Sequence, residues 1–199
     1  MRFIARSAAA LLTTALIVGG TTTAAHAQSQ TIKDKKGDVV QYDGFEDERG
    51  TVLSTNQSAK SGVDVRSMKV NHKKKSVVLD VKFSQLKKNA LLSVVFRVNG
   101  KSRESYYMVS TSRSRADVYD RKDRRVCSAK LKTRLGKKGS IKATLKRSCL
   151  DNPKKLKVSA ASVSIENVET DSEQPVFLAD VVSKSSVRNP AWSKWLKAG

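Results

Sequence analysis

The chain is short of several residue types on which common activities depend. Only one of its two histidines, His72, lies beyond the apolar N-terminal segment, and it sits in a lysine-rich stretch, Asn71-His72-Lys73-Lys74-Lys75. A Ser-His-Asp triad or a histidine-rich zinc site therefore has little to draw on. Aromatic residues make up 6% of the chain. Few of them are interleaved with its arginines and lysines, which argues against binding single-stranded nucleic acid by stacking. Apart from the N-terminal segment, no long stretch repeats apolar residues at the 3.6-residue helical period, and no internal repeat is evident. Acidic side chains are outnumbered, 18 against 39 Lys and Arg, for a net charge of +21.

The first 27 residues have the layout of a secretory signal peptide. Arg2 and Arg6 form a positive flank, Ala8 to Val18 is short and mostly apolar, and Ala25-His26-Ala27 is a small-x-small cleavage site before Gln28. The apolar run falls short of the ~20 residues that a transmembrane anchor needs. No paired arginines and no cysteine near the cut point to a special export route or a lipid anchor. Residues 28–199 are thus expected to be secreted into the extracellular space as one monomeric domain with a polar C-terminal tail, large enough to bury a core. This part carries 37 basic and 18 acidic side chains, of which residues 50–165 hold 29 basic and 7 acidic. Such a field attracts anionic polymers and surfaces, although a charged, soluble surface without a ligand fits the same composition.

The two cysteines bracket the most ordered pattern in the chain. Cys127, Ala129, Leu131, Thr133 and Leu135 alternate with polar residues, as do Ile141, Ala143, Leu145, Arg147 and Cys149, on either side of Gly136-Lys137-Lys138-Gly139. A period of 2 marks half-buried strands. Pairing Leu135 with Ile141 aligns Leu131 with Leu145 and Cys127 with Cys149. It leaves a three-residue loop in which Gly139 takes the left-handed position. In this register the cysteines face each other at a non-hydrogen-bonded pair, with Cα atoms about 4.5 Å apart, and an exported chain permits the disulfide. The outward positions are Lys130, Lys132, Arg134, Lys142 and Lys146.

Similar alternation recurs along the chain. A short strand is expected near Val39–Tyr42, then polar loop over 51–61, then a bulged hairpin over Gly62–Leu86. Leu91 to Val98 reads as a central strand, followed by the hairpin signal Asn99-Gly100 and a partner strand to Ser110. Shorter strands fall at Asp117–Tyr119, Lys157–Ile165 and Val176–Val182. Tyr106, Tyr107, Trp192 and Trp195 are the aromatic candidates for stacking on sugars; the plainer reading is that Trp192 and Trp195 share one face of a short helical turn that docks the tail. About nine or ten short strands with turn signals between them predict an all-β fold, a single antiparallel β-sandwich of jelly-roll-like form.

Catalytic motifs are weak. Ser84-Gln85-Leu86-Lys87 fits S-x-x-K without a companion motif, and Gly136 to Ser140 lacks the spacing and the following helix of a phosphate loop. Paired carboxylates for glycoside hydrolysis stay open, since sequence does not give their separation. For a metal, Asp34-Lys35-Lys36-Gly37-Asp38 places two carboxylates around a glycine turn, and Asp64 at the start of the next strand would close an oxygen-rich site for Ca²⁺. A solvated acidic loop paired with nearby lysines is the plainer reading of the same residues.

Asp34-Lys35-Lys36-Gly37-Asp38-Val39, Val63-Asp64-Val65 with Val70 and His72, and Val77-Val78-Leu79-Asp80-Val81-Lys82-Phe83 resemble the opening of small secreted β-sandwich proteins of actinobacteria. These are in turn similar to calcium-bearing domains of the carbohydrate-binding-module type. The resemblance covers residues 34–83 and more loosely the rest. It implies a β-sandwich, a sugar-binding role carried by an aromatic platform, and acidic metal ligands at Asp34, Asp38 and Asp64. The function expected is that of a non-catalytic, secreted domain binding an extracellular glycan or an anionic polymer of the cell envelope. The contacts would be Lys130, Lys132, Arg134, Lys142 and Lys146, with Arg121, Arg124 and Arg125 beside them, and no specific nucleic acid is expected as a partner. A structural or protein-interaction domain of the envelope is the alternative, and a hydrolase the third reading.

Overall fold

The computed structural model describes residues 27–44, 46–100, 105–166, 175–182 and 190–199. The expected signal segment up to His26, most of the acidic loop after Glu166, and residues 183–189 of the tail lie outside the described residues. No described helix is long and apolar enough to cross a membrane.

Strands form where apolar residues alternate. In chain order they are β1 (Gln28–Lys33), β2 (Val40–Asp43), β3 (Thr51–Val52), β4 (Val65–His72), β5 (Ser76–Phe83), β6 (Gln85–Leu86), β7 (Leu91–Val98) and β8 (Tyr106–Ser110). There follow β9 (Arg115–Asp120), β10 (Arg125–Arg134), β11 (Gly136–Lys137), β12 (Ser140–Lys146), β13 (Lys155–Glu166), β14 (Val176–Val181) and β15 (Leu196–Lys197). Two helical pieces interrupt them, α1 (Thr55–Ser61) and a 3₁₀ turn at Arg147–Leu150.

The protein is all-β and antiparallel. The nine or ten strands expected in two facing sheets are instead thirteen strands in one continuous sheet, curled into a half-barrel. The order is β1-β4-β5-β12-β10-β9-β8-β7-β13-β14-β2-β3, with β15 added to β13, while β6 and β11 pair separately. Inward residues of every second position fill the concave side. Met68, Leu79, Phe83, Leu92, Phe96, Met108, Leu145, Leu150 and Leu156 are all buried in one cluster. Curling lets one curved sheet bury a common apolar face without a second layer, and it brings β4 close to β13 across the core. The chain connection from β1 to β2 therefore runs from one end of the sheet order to the other.

Several local expectations change. The β10–β12 hairpin pairs Thr133 with Ile141 and Leu131 with Ala143, two residues away from the register expected. The cause is tertiary: Gly136–Lys137 pair with Gln85–Leu86 of β6, which withdraws residues 135–139 from the hairpin ladder. Positive φ falls at Gly136 and Lys138, not at Gly139. Gly139 is needed for a different reason, because a Cβ there would overlap Cβ of Leu86. Cys149 consequently leaves the strand and lies in the 3₁₀ turn. It still bridges to Cys127, with Cα atoms 5.8 Å apart.

The segment expected as loop at 51–61 contains β3 and α1. Ser54 caps α1, accepting from the N–H of Gln57 (3.4 Å) while the Gln57 side chain accepts from the N–H of Ser54 (3.1 Å). That reciprocal arrangement is the capping box of an S-x-x-Q sequence. The tail also differs from the helical turn expected. It is extended, with β15 on β13 and the N–H of Ser193 donating to the carbonyl of Val158 (2.9 Å). Arg97 lies 4.0 Å over the ring of Trp192, and Lys155 and Lys157 approach Trp195, so both indoles serve to dock the tail.

Candidate functional site

The hairpin β10–β12 sorts its residues by parity. Ala129, Leu131, Ile141, Ala143 and Leu145 enter the core, which forces Lys130, Lys132, Arg134, Lys142 and Lys146 to the exposed convex face. The two-residue register change leaves this sorting intact. Lys132 stands directly opposite Lys142, an arrangement of like charges that costs stability in a sheet. The same row continues through Asp80 of β5 to Lys69 of β4. Asp80 is engaged by Lys82 at 3.3 Å. Among the described residues, none of Lys130, Lys132, Lys142 and Lys146 has an ion-pair partner. Arg134 turns one nitrogen onto the carbonyl of Lys138 at 2.7 Å.

The other expected contacts stand apart from this patch. Arg121, Arg124 and Arg125 belong to the β9–β10 turn, at the far end of β10 from Arg134. Arg124 clamps Asp120 with two nitrogens, at 2.9 and 2.7 Å. Arg125 meets Asp117 at 2.9 Å, and Asp117 also holds Arg115 at 3.2 Å. The Ser128 hydroxyl, then the two guanidinium groups, hold the Asp117 carboxyl below the usual range, and Arg124 does the same for Asp120. Arg124 and Arg125 are thus paired with acids, whereas no described ion pair reaches Arg121.

The structure extends the cationic patch in a direction that pattern reading missed. Beside Arg134 opens a groove of about 760 Å³. Lys36 and Lys60 come to it from the β1–β2 connection and α1, Arg66 and Lys82 from β4 and β5, and Lys137 and Lys138 from the hairpin turn. No acidic side chain among the described residues lines it. Lys36 and Lys138 are about a hundred positions apart, and nothing local in either stretch signals their meeting.

A second, oppositely charged site lies where the two ends of the sheet meet. Asp34 follows β1, and its N–H bonds the carbonyl of Arg66 (3.1 Å). Gly37 turns the chain at φ +74°, and a Cβ there would press on the backbone of Thr55. The N–H of Gly37 donates to Oδ1 of Asp64 (3.0 Å), and the Ser84 hydroxyl donates to its Oδ2. Asp64 is therefore occupied in holding the turn. The third carboxylate beside Asp34 and Asp38 is Asp180 of β14, and one oxygen from each of these three lies within 4.8 Å of the others. Asp180 is fully buried, and its Oδ2 accepts from the N–H of Val65 at 2.6 Å. Burial, then the charge of Asp34, with smaller contributions from Asp38 and Asp64, pushes the Asp180 carboxyl up to about 8. Burial also raises that of Asp38. An oxygen-only set of this kind suits a hard cation.

Asp180 had a signal in the sequence. Leu178, Asp180 and Val182 share one parity, and all three are buried, so an acid occupies a core position of a strand. Of the S-x-x-K residues, Ser84 is bonded to Asp64, and Lys87 reaches Glu166 at 3.9 Å. Tyr107 stacks on Tyr119 with ring centroids 5.0 Å apart, while Tyr106 turns to the other side and packs against the core. Comparison with known proteins finds no matching family model, no matching curated protein and no matching solved structure.

Proposed function

We infer that the protein is a secreted, non-catalytic binding domain that holds an anionic polymer of the cell envelope against its basic face and the adjoining groove. One observation carries the reading: lysines without ion-pair partners among the described residues stand on the β10–β12 face, and they continue into a groove whose charged lining residues are all cationic. Along a strand, alternate residues repeat about every 7 Å, and neighbouring strands lie about 4.8 Å apart. Lys130, Lys132 and Arg134 with Lys142 thus form a lattice of charge, which suits repeated phosphate or carboxylate groups better than a single small anion. Opposing Lys132 to Lys142 costs stability in the free protein, and a bound polyanion relieves that repulsion. A charged glycan falls within this class.

The test is binding to a polyglycerol-phosphate chain and to an uncharged glucan at two salt concentrations. Three contacts with a slope of ~0.7 each give roughly a 20-fold loss of affinity between ~50 and ~200 mM salt. The variant Lys130→Ala/Lys132→Ala/Lys142→Ala should lose most of this dependence. Binding that is indifferent to salt, or equal for the glucan, refutes the proposal. Salt-insensitive binding to an envelope protein would instead support an interaction domain.

A further inference from the structure

We propose that Asp34, Asp38 and Asp180 bind one calcium ion that clasps the two ends of the curled sheet. The inference is independent of the basic face and would stand if polymer binding failed.

Three observations combine. The first is spacing. One oxygen of each carboxylate lies within 4.8 Å of the other two. Ligands at 2.3–2.6 Å from a common Ca²⁺ are separated by at most about 5 Å. The second concerns the oxygens themselves. Asp38 is 5% exposed and Asp180 0%. Both carboxylate oxygens of Asp38 and Oδ1 of Asp180 are buried with no hydrogen-bond partner among the described residues. Buried carboxylate oxygens are ordinarily paired or bound to metal. No described salt bridge reaches Asp38 or Asp180. Lys35 acts on Asp38 through its charge but makes no described ion pair with it. The third is the donor set. It contains no His and no Cys, which disfavours zinc and copper and favours a hard ion. Calcium accepts six to eight oxygens in irregular geometry, whereas Mg²⁺ demands a near-regular octahedron at shorter distances. Carboxylates carried by a strand and by a turn give the irregular case.

The location gives the ion its role. Asp34 leaves β1, at one end of the sheet order, and Asp180 belongs to β14, near the other end. The bond from the N–H of Val65 in β4 to Asp180 already joins those ends. Asp64 acts as a positioning residue, fixing Gly37 and with it the loop that carries Asp38. A cation here replaces mutual repulsion across the seam by attraction, so its binding free energy adds to folding.

The experiment uses the whole secreted chain, stripped with a chelator and titrated with CaCl₂ and separately with MgCl₂. Calorimetry reports stoichiometry and affinity, and thermal unfolding reports the clasp. Expected are one Ca²⁺ per chain, a raised midpoint that the chelator reverses, and a weaker Mg²⁺ response. Asp180→Asn and Asp38→Asn should each weaken calcium binding by at least about tenfold. Glu48→Gln, at an exposed carboxylate outside the cluster, should leave it unchanged. Should Asp180→Asn fail to fold, Asp38→Asn carries the same test from the loop before β2. No binding up to millimolar calcium, or full binding by both cluster variants, overturns the site. An equal response to magnesium overturns the assignment to calcium.

Discussion

Replacing Cys127 and Cys149 together by alanine removes the one covalent tie between β10 and the 3₁₀ turn. The two positions are 22 residues apart in sequence. A crosslink closing a loop of that length lowers the entropy of the unfolded chain by about 11 cal/mol/K, or about 3.4 kcal/mol at 25 °C. Both side chains also pack against the core, and truncating them adds a transfer cost on the order of 1 kcal/mol. Unfolding entropy is about 2.1 cal/mol/K per residue. Over residues 28–199, within which the described sheet lies, a loss of about 4 kcal/mol therefore lowers Tm by about 11 °C. Urea unfolding followed by circular dichroism of both proteins checks this. The midpoint should fall, and the dependence on urea should steepen, because the unfolded chain without its bridge expands and exposes more surface. A loss below about 1 kcal/mol with an unchanged slope would refute the reasoning. It would mean that the bridge restrains nothing the unfolded chain explores.

His72 makes stability fall on the acid side. It is fully buried, and its Nδ1 lies 2.9 Å from the carbonyl of Leu196. A carbonyl only accepts, so Nδ1 carries the proton of the neutral ring. Burial first, with the charge of Arg147 assisting against that hydrogen bond, lowers its pKa below 6.5. The unfolded chain thus takes up the proton first. The contribution is fully present above about pH 6.5 and is lost as pH falls through the folded-state value. His72→Asn, whose amide can donate to the same carbonyl, should flatten that part of a Tm-against-pH curve, and an unchanged curve would exonerate His72. At α1, Ser54→Ala removes half of the capping box and should cost about 1 kcal/mol, or about 3 °C in Tm. A Tm equal to that of the unaltered protein would show that the cap contributes nothing.

Legibility in the sequence followed the range of the interaction. The β4–β5 hairpin and its bulge, between Val65 and Ser67, were readable because alternation and the change of parity at Met68 are local. The cysteine pair was readable for a similar reason, since a bridge tolerates the small shift that carried Cys149 into a turn. α1 was also local, through Ser54 and Gln57, but a polar seven-residue segment shows no apolar period, and the cap was the only mark it left. β1 and β15 left almost none. Each gains its order from a partner strand, β4 and β13 respectively, rather than from its own pattern.

By itself, the sequence determined that Ala129, Leu131, Ile141, Ala143 and Leu145 face inward and that the lysines between them face outward, whereas Leu135, of the same parity, is exposed. Alternation has a period of two, so a slip of two residues in the β10–β12 register preserves the exposed lysines, whereas a slip of one would have inverted them. Only the tertiary structure decided how far the sheet curls, and therefore which distant residues meet. Pairing of β6 with β11 set the hairpin register. Approach of the sheet ends placed Asp180 beside Asp34 and Asp38, and closure of the groove set Lys36 and Lys60 near Arg134. Those meetings depend on the packing of one common core across the whole sheet, a property that no single stretch of the chain contains.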